Sequence, residues 1–251
     1  MTRTHTETGL AAGRAAAGRV GLVSRLLAQA LEESSGGGTP PAVLDCGGGS
    51  GTYAVPLALA GCDVTVVDVS ADALTTLSRR AGEAGVTERV HPVAGEAERL
   101  GELFPGRAFD AVLAHGILDA VDDVAATFAA MVAAARPGGL VSVLVANPPA
   151  AVLARALAGE PAQALRELRR LDEPDDSVGP RTVDALCAGA GLVPVARHGI
   201  GVFSDLVPGA ALDSSGARQA LADLDAEAAD RAPFADLAGR IHLLSRRPTD
   251  A

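Results

Sequence analysis

The sequence predicts an α/β fold, a doubly wound and mostly parallel sheet with helices on both faces. Short aliphatic runs alternate with segments of helical periodicity along residues 42–145. Each run is bounded by glycine, proline or polar residues, as expected for strands that are buried on both faces. The 251 residues suit one domain of ordinary size, and the 48% of hydrophobic residues suffice for its core.

The order of the elements follows from the spacing of the apolar residues. The predicted strands of the first part are residues 42–45, 64–68, 90–93, 109–114 and 140–145. The predicted helices beside them are residues 10–33, 52–60, 71–84 and 124–135. Plain alternation then stops, and the remaining predictions are helices at 149–170, 182–190 and 214–230 and strands at 192–196, 199–203 and 241–245. The last helix carries Asp223, Asp225, Glu227 and Asp230, a pattern that predicts a solvated acidic face.

Composition restricts the partners that this chain attracts. Its formal net charge is -10, so it has no general electrostatic attraction for a polyanion such as duplex DNA. A local basic patch that binds one RNA loop remains compatible with that charge. The 3 cysteines are an odd number and widely spaced, which predicts neither disulfides nor a zinc site. The polar N-terminus and the lack of a run of ~18 apolar residues predict a cytoplasmic protein without a membrane partner.

A glycine-rich turn after the first strand is the main functional signal. Asp45 ends the strand, and glycines at alternate positions, Gly47, Gly49 and Gly51, precede a predicted helix. Glycines there let the backbone turn sharply and approach a ligand closely. Dinucleotide sites use a different spacing, G-x-G-x-x-G, and Thr52 stands where that pattern needs its third glycine. A carboxylate at Asp45 would repel a pyrophosphate, whereas it suits the positive amine of S-adenosylmethionine.

A second acid closes the second predicted strand. Asp68 is placed to accept hydrogen bonds from both hydroxyls of a ribose. Sites for NAD share this feature, so Asp68 by itself does not distinguish the two cofactors. An NAD-dependent oxidoreductase therefore remains a second interpretation of the sequence, although Asp45 and Thr52 favour S-adenosylmethionine. A non-catalytic module that binds the same cofactor is a third reading, because its binding residues would be the same.

With these motifs, residues 40–145 resemble the class I S-adenosylmethionine-dependent methyltransferases. The matching segments are residues 45–51, 67–70, 94–97, 109–112 and 136–140. The resemblance implies a Rossmann-like sheet of seven strands whose last strand is antiparallel, with S-adenosylmethionine as cofactor and S-adenosylhomocysteine as product. It also implies cofactor contacts from Asp45, Gly47, Gly48, Gly49, Gly51, Asp68, Val69, Gly95, Glu96 and Ala97. Glu96 stands where many members of the family have Asp.

A narrower resemblance, to the bacterial tRNA 5-carboxymethoxyuridine methyltransferases, covers nearly the whole chain. It rests on residues 114–121, 199–205 and 237–248. It implies that the enzyme esterifies a carboxylate on a wobble uridine of tRNA, that Arg19 faces the cofactor carboxylate, and that His115 lines the cofactor pocket. The chain departs from this family after the fifth strand, because the acidic residues 172–176 replace a Lys-rich stretch. Acids there would repel a phosphate backbone, so a small metabolite is the alternative acceptor.

His115 ends the fourth predicted strand, beside the expected site of methyl transfer. Two roles are open for it: a general base, since an unperturbed imidazole titrates near neutral pH, or a pocket wall that hydrogen-bonds a ligand. A carboxylate acceptor is already ionised and needs no base. Arg155, Arg166, Arg169, Arg170 and Arg181 either hold an anionic acceptor or form a solvated helix face.

We therefore predict one methyltransferase domain over residues 1–251. Its parts are an N-terminal tail and lid helix at 1–38, a cofactor-binding core at 40–146, and acceptor-side helices and closing strands at 147–251. The expected partners are S-adenosylmethionine and an oxygen acceptor, either tRNA or a small molecule. No His, Cys and Asp cluster has the spacing of a metal site.

Overall fold

The computed structural model describes residues 4–34, 38–172, 177–207 and 215–249. The strands are β1 (Ala42–Cys46), β2 (Asp63–Asp68), β3 (Val90–Ala94), β4 (Phe109–His115), β5 (Ala135–Ala146), β6 (Val193–Ile200) and β7 (Arg240–Arg246). The α-helices of the described residues are α1 (Thr4–Ser34), α2 (Ala54–Leu59), α3 (Ala71–Glu83), α4 (Leu100–Leu103), α5 (Val124–Ala134), α6 (Pro148–Leu157), α7 (Pro161–Arg170), α8 (Pro180–Gly189) and α9 (Ser215–Ala228).

The sheet confirms the predicted fold class. Its seven strands lie in the order β3-β2-β1-β4-β5-β7-β6. Strands β1 to β5 pair in parallel, and the last strands are antiparallel. The chain winds outward from β1 in one direction through β2 and β3, then crosses to β4 and β5 on the other side. In open sheets of this kind, ligands bind at the carboxyl ends of the strands where the order reverses, here between β1 and β4.

The described residues group into two compact units. Unit 1 takes its residues from Met1–Val23, Val145–Pro180 and Arg197–His242, and unit 2 from Ser24–Leu144, Arg181–Ala196 and Leu243–Ala251. The core of unit 2 consists of aliphatic side chains of β1, β2 and β4 packed against α2 and α3, among them Leu57, Leu77 and Leu113. In unit 1, Val202, Ala228 and Ala238 form a smaller apolar cluster. No helix in the described ranges is long and apolar enough to cross a membrane.

Four predicted elements after residue 134 differ in the structure. The single helix predicted for 149–170 is two helices, α6 and α7, since Gly159 has a φ of 78° and Pro161 begins the second helix. The two strands predicted for 192–196 and 199–203 are the single strand β6, and the chain turns at Gly201 with a φ of 79°. Strand β5 begins at Ala135, five residues before the predicted position of 140, and its pairing with β4 shifts register between Ala135 and Leu140.

The prediction that the last helix is solvated is wrong at Asp225. This residue of α9 is only 7% exposed. Its carboxylate oxygen Oδ1 accepts a hydrogen bond of 2.7 Å from the backbone N–H of Phe203, and the backbone N–H of Ser204 also points at it. A buried carboxylate is retained where backbone donors satisfy it. Asp225 therefore fixes the turn that follows β6.

Burial in unit 2 gives a direct test of this core. Leu113 of β4 is fully buried, so Leu113→Ala should lower the free energy of unfolding by ~2–5 kcal/mol through lost contacts and a residual cavity. The matched control is Leu59→Ala at the end of α2, where the leucine is 62% exposed and the expected change is within about 0.5 kcal/mol. Urea unfolding of both variants measures the difference, and equal losses would contradict the packing described for β4.

Candidate functional site

The segment between β1 and α2 is a tight glycine loop at the carboxyl edge of the sheet. Gly47, Gly49 and Gly51 have φ values of 66°, 53° and 79°, which L side chains rarely adopt. The backbone N–H of Gly47 donates to the carbonyl of Val67 at the end of β2, at 2.8 Å. The alternate glycines of the sequence motif are thus the positions where this loop needs a left-handed backbone.

Close packing adds a second reason for glycine. A Cβ at Gly51 would lie 2.3 Å from Cδ1 of Leu77, and one at Gly47 would lie 2.8 Å from Cδ1 of Ile117. Leu77 lies on α3, while Ile117 follows β4. The loop is therefore packed between α3 and the segment that follows β4, with no room for a side chain at either glycine.

Asp68 ties the end of β2 to this loop. Its Oδ2 accepts a hydrogen bond of 2.9 Å from the backbone N–H of Gly49, and its Oδ1 accepts one of 2.8 Å from the N–H of Ser70. Ser70 in turn caps α3 by accepting from the N–H of Ala73. Each carboxylate oxygen has a second lone pair, so Asp68 retains acceptor capacity for a ligand that carries hydroxyl groups.

Asp45 is a buried carboxylate beneath the same loop. It is 1% exposed, and its Oδ2 has no hydrogen-bond partner within the described parts of the chain. Burial, with a smaller contribution from the negative charge of Asp68, raises the pKa of Asp45 to about 7. A Cβ at Gly48 would lie 2.5 Å from this oxygen, so glycine at that position keeps the carboxylate in place. An unsatisfied acceptor of this kind suits a ligand that brings a positive amine.

The remaining predicted contact residues lie directly after β2 and β3. Val69, directly after β2, is 74% exposed, although valine is ordinarily a core residue. The backbone N–H of Gly95, directly after β3, donates to the carbonyl of Asp68 at 3.1 Å. Glu96 is exposed and Ala97 is buried. Of these predicted contact residues, Val69 and Glu96 thus present side chains to solvent, whereas Ala97 packs inward.

His115 ends β4 in a setting that removes its ordinary basicity. Its Nε2 lies 2.8 Å from Oγ of Ser142, a buried residue of β5, and its ring packs edge-on against Tyr53 with the centroids 4.5 Å apart. Burial lowers the pKa of His115 to about 3. The imidazole is therefore neutral at physiological pH. Sequence reasoning missed Ser142; its one signal was a hydroxyl within an otherwise aliphatic strand.

The comparison with known proteins now decides between the two cofactor classes. A family model described as a methyltransferase domain matches residues 43–139, from β1 through the start of β5. The ubiquinone biosynthesis O-methyltransferase of Bordetella bronchiseptica is 32% identical over 173 residues, which are 68% of this chain and 69% of that protein. The chain belongs to the class I methyltransferases. As an enzyme of this family it uses S-adenosylmethionine, so the NAD-dependent reading is set aside.

Two further relatives extend the similarity beyond the glycine loop. The tRNA 5-carboxymethoxyuridine methyltransferase of Escherichia coli K12 is 25% identical over 210 residues, which are 82% of this chain and 80% of that enzyme. Among solved structures, magnesium protoporphyrin IX methyltransferase from Synechocystis, with S-adenosylhomocysteine bound, superposes with a TM-score of 0.57 at 13% identity, covering 90% of this chain and 83% of that one. The latter likeness is one of fold.

The glycine loop of this methyltransferase fits S-adenosylmethionine. The buried, unsatisfied oxygen of Asp45 matches the ammonium group of the methionine end, and the open lone pairs of Asp68 match the ribose hydroxyls. Cys46, between them in sequence, is fully buried, and burial, followed by the charge of Asp45, raises the pKa of its thiol. A thiol that stays protonated is a poor nucleophile, which supports its interpretation as a small packing residue.

Arg19, on α1, belongs to unit 1 and has a partner that the sequence did not predict. Its Nη1 donates to Oδ1 of Asp205 in the turn after β6. The arginines of α6 and α7 have acidic neighbours as well: Arg155 pairs with Glu160 at 3.0 Å, and Arg170 lies 3.8 Å from Glu167. That Arg19 faces the cofactor carboxylate stays a prediction.

The raised pKa of Asp45 makes a stability prediction with a definite sign. The folded state holds the proton up to about pH 7 while the unfolded chain releases it near 3.8, so stability falls as pH rises between these values. Asp45→Asn removes this loss and should stabilise the cofactor-free protein above pH 7 by ~1–3 kcal/mol. It should also weaken S-adenosylhomocysteine binding at the same pH.

Thermal unfolding of the parent and of Asp45→Asn at pH 5 and pH 8, with and without S-adenosylhomocysteine, tests the predicted gain in stability and the predicted loss of binding. Asp72→Asn, which removes an exposed acid of α3, is the matched control for net charge. A variant that is no more stable than the parent at pH 8 would show that Asp45 is charged at little cost.

Proposed function

We propose that this methyltransferase transfers the methyl group of S-adenosylmethionine to a carboxylate oxygen, forming a methyl ester. The observation that carries the proposal is the setting of His115, a neutral imidazole hydrogen-bonded to Ser142 at the end of β4. A hydroxyl or amine acceptor needs a group that takes its proton, and a base with a pKa of about 3 does this poorly at neutral pH. A carboxylate is ionised already and needs only alignment and the exclusion of water.

The residues of unit 2 have separate roles in this proposal. The bound cofactor supplies a methyl group on a positively charged sulfur. Asp45 accepts from its ammonium group, Asp68 accepts from its ribose hydroxyls, and the glycine loop lets the backbone approach. Val69, Gly95, Glu96 and Ala97 border the adenine. His115 acts as a neutral wall that hydrogen-bonds a ligand and excludes water, so it orients the reactants and does not remove a proton.

A carboxylate on a tRNA wobble uridine is the first acceptor to test. The relative from Escherichia coli, by its name, methylates 5-carboxymethoxyuridine in tRNA, and the similarity extends over 82% of this chain. The exposed end of α7 supplies Arg169 and Arg170 as candidate phosphate contacts. A carboxylate acceptor on that base agrees with the neutral state of His115.

A small carboxylic acid is the alternative, and the charge of the chain favours it. The net charge of -10 opposes binding of a whole tRNA, and the nearby acids of α6 and α7 offset part of their positive charge. The ubiquinone biosynthesis O-methyltransferase of Bordetella bronchiseptica, by its name, is an O-methyltransferase of a biosynthetic pathway. Residues 173–176, which carry most of the predicted acidic stretch, lie outside the described residues.

The role of Asp68 predicts a loss of cofactor affinity. Asp68→Ala should weaken S-adenosylmethionine binding by ~1–3 kcal/mol, because the ribose loses its acceptors and the loop loses the hydrogen bond at Gly49. Isothermal titration calorimetry of the parent and variant measures this, with Asp72→Ala as a control that also removes one acid near the start of α3. Unchanged affinity would refute the ribose assignment.

The proposed reaction predicts a base-labile product. With labelled S-adenosylmethionine and either tRNA containing 5-carboxymethoxyuridine or a panel of small carboxylic acids, the transferred methyl should be released as methanol by mild alkali. Methyl ethers and N-methyl groups survive that treatment. The rate should not follow a titration near pH 6.5, because His115 stays neutral there. An alkali-stable product would overturn the carboxylate proposal while leaving the cofactor assignment intact.

A further inference from the structure

Strand β5 has one polar side chain within its most apolar stretch. Residues 140–145 are Leu-Val-Ser-Val-Leu-Val, and the serine, Ser142, is fully buried. Burying a hydroxyl costs free energy unless the hydroxyl is hydrogen-bonded. An alanine or a valine would fill a strand of this kind without that cost, so the hydroxyl of Ser142 indicates a role other than packing.

The register of the sheet places Ser142 on the same face as two residues of the candidate site. Leu113 of β4 pairs with Asp45 on one side and with Ser142 on the other, so these three residues form one row across β1, β4 and β5. His115 follows Leu113 by two residues, and alternate residues of a strand share a face. Asp45, Ser142 and His115 therefore lie on one face of the sheet, with His115 nearest to its carboxyl edge.

Two side chains contact the imidazole of His115. Oγ of Ser142 lies 2.8 Å from its Nε2. The ring of Tyr53, which directly precedes α2, meets it edge-on, with the centroids 4.5 Å apart and an angle of 77° between the planes. A neutral imidazole has one donor and one acceptor nitrogen, so a hydrogen bond at Nε2 also determines the role of Nδ1. The contact with Ser142 therefore constrains both the orientation of the ring and its tautomer.

We propose that Ser142 is a positioning residue of the cofactor site, which holds His115 in one orientation and one tautomer against the bound cofactor. The inference rests on the proposed function in one respect, namely that His115 borders the ligand. A ring that is fixed before binding loses less conformational entropy when it forms a hydrogen bond. A ring that exchanged between tautomers would bind only in part of the population, and its apparent affinity would fall by that fraction.

The test compares the loss of this hydroxyl with the loss of another buried hydroxyl. Ser142→Ala leaves a small space, whereas Ser142→Cys fills the position with a group that forms only weak hydrogen bonds. The matched control is Ser245→Ala, because Ser245 is a buried serine of β7 whose Oγ lies 3.7 Å from Sγ of Cys187. Isothermal titration with S-adenosylhomocysteine measures the affinity, and thermal unfolding shows whether each variant is folded.

The expected result is a loss of affinity that depends on His115. Ser142→Ala and Ser142→Cys should each bind S-adenosylhomocysteine about threefold to tenfold more weakly, as for one lost neutral hydrogen bond, while Ser245→Ala binds like the parent. A double-mutant cycle with His115→Ala shows whether Ser142 acts through the imidazole. When His115 is already alanine, Ser142→Ala should not change the affinity further, because the ring that Ser142 holds is absent.

Nitrogen NMR of protein with isotope-labelled histidine gives a readout that a merely structural role would not change. The chemical shifts of the two ring nitrogens distinguish the tautomers, and the signals that disappear in His115→Ala are those of His115. The parent should show one tautomer of His115. Ser142→Ala and Ser142→Cys should show a mixture of both, because the hydrogen bond at Nε2 no longer selects between them.

Several outcomes would overturn the proposal. They are an unchanged affinity in both Ser142 variants, a loss in Ser142→Ala that Ser142→Cys does not share, and a further loss when His115 is already alanine. An unaltered tautomer of His115, or an equal loss in Ser245→Ala, would also overturn it. None of these measurements uses a methyl acceptor, so an alkali-stable reaction product would contradict the proposed function without affecting this inference.

Discussion

The burial of one carboxylate, Asp45, is the constraint on which the glycine loop depends. A buried carboxylate whose Oδ2 has no hydrogen-bond partner among the described residues is costly to ionise, and the loop above it has no room for a further side chain at position 48. Gly48 must be glycine because any Cβ would displace the carboxylate. Burial, with a smaller contribution from the charge of Asp45, raises the pKa of the Cys46 thiol, so the thiol stays protonated and is a poor nucleophile. An arrangement that lowers stability in the free protein is expected where a ligand compensates for it.

Parallel pairing brings the other groups to the same edge. Because β2 and β4 both pair with β1, Asp68 and His115 follow Asp45 to the carboxyl ends of neighbouring strands. Asp68 contributes charge and fixes the loop, whereas His115 contributes a neutral polar surface. The two environments push the pKa values of Asp45 and His115 in opposite directions, since burial always favours the uncharged form.

Much of unit 2 could be predicted from the sequence because its signals are local. The glycine spacing, the acid that ends each of two strands and the aliphatic runs all lie within short windows. The rest depends on contacts between distant segments. The hydrogen bond of His115 to Ser142, the burial of Asp225 against Phe203 and the Arg19–Asp205 pair have no local signal. The predicted ends of helices and strands after residue 134 were wrong for a related reason. A glycine inside an apolar pattern indicates an interruption, but the pattern does not show whether the strand continues to pair on the other side of that glycine.

The hydrogen bonds of Asp68 have a kinetic consequence. Hydrogen bonds within the chain hold the loop at Gly49 and the start of α3 at Ser70, so the protein itself fixes the backbone that a nucleoside meets. Binding then requires little rearrangement, and association should approach the rates of rigid, preformed pockets. Differences in affinity among nucleoside ligands would then lie mainly in how fast they leave. S-adenosylhomocysteine differs from S-adenosylmethionine by one methyl group. The step that the loop governs most directly is therefore the release of S-adenosylhomocysteine after methyl transfer.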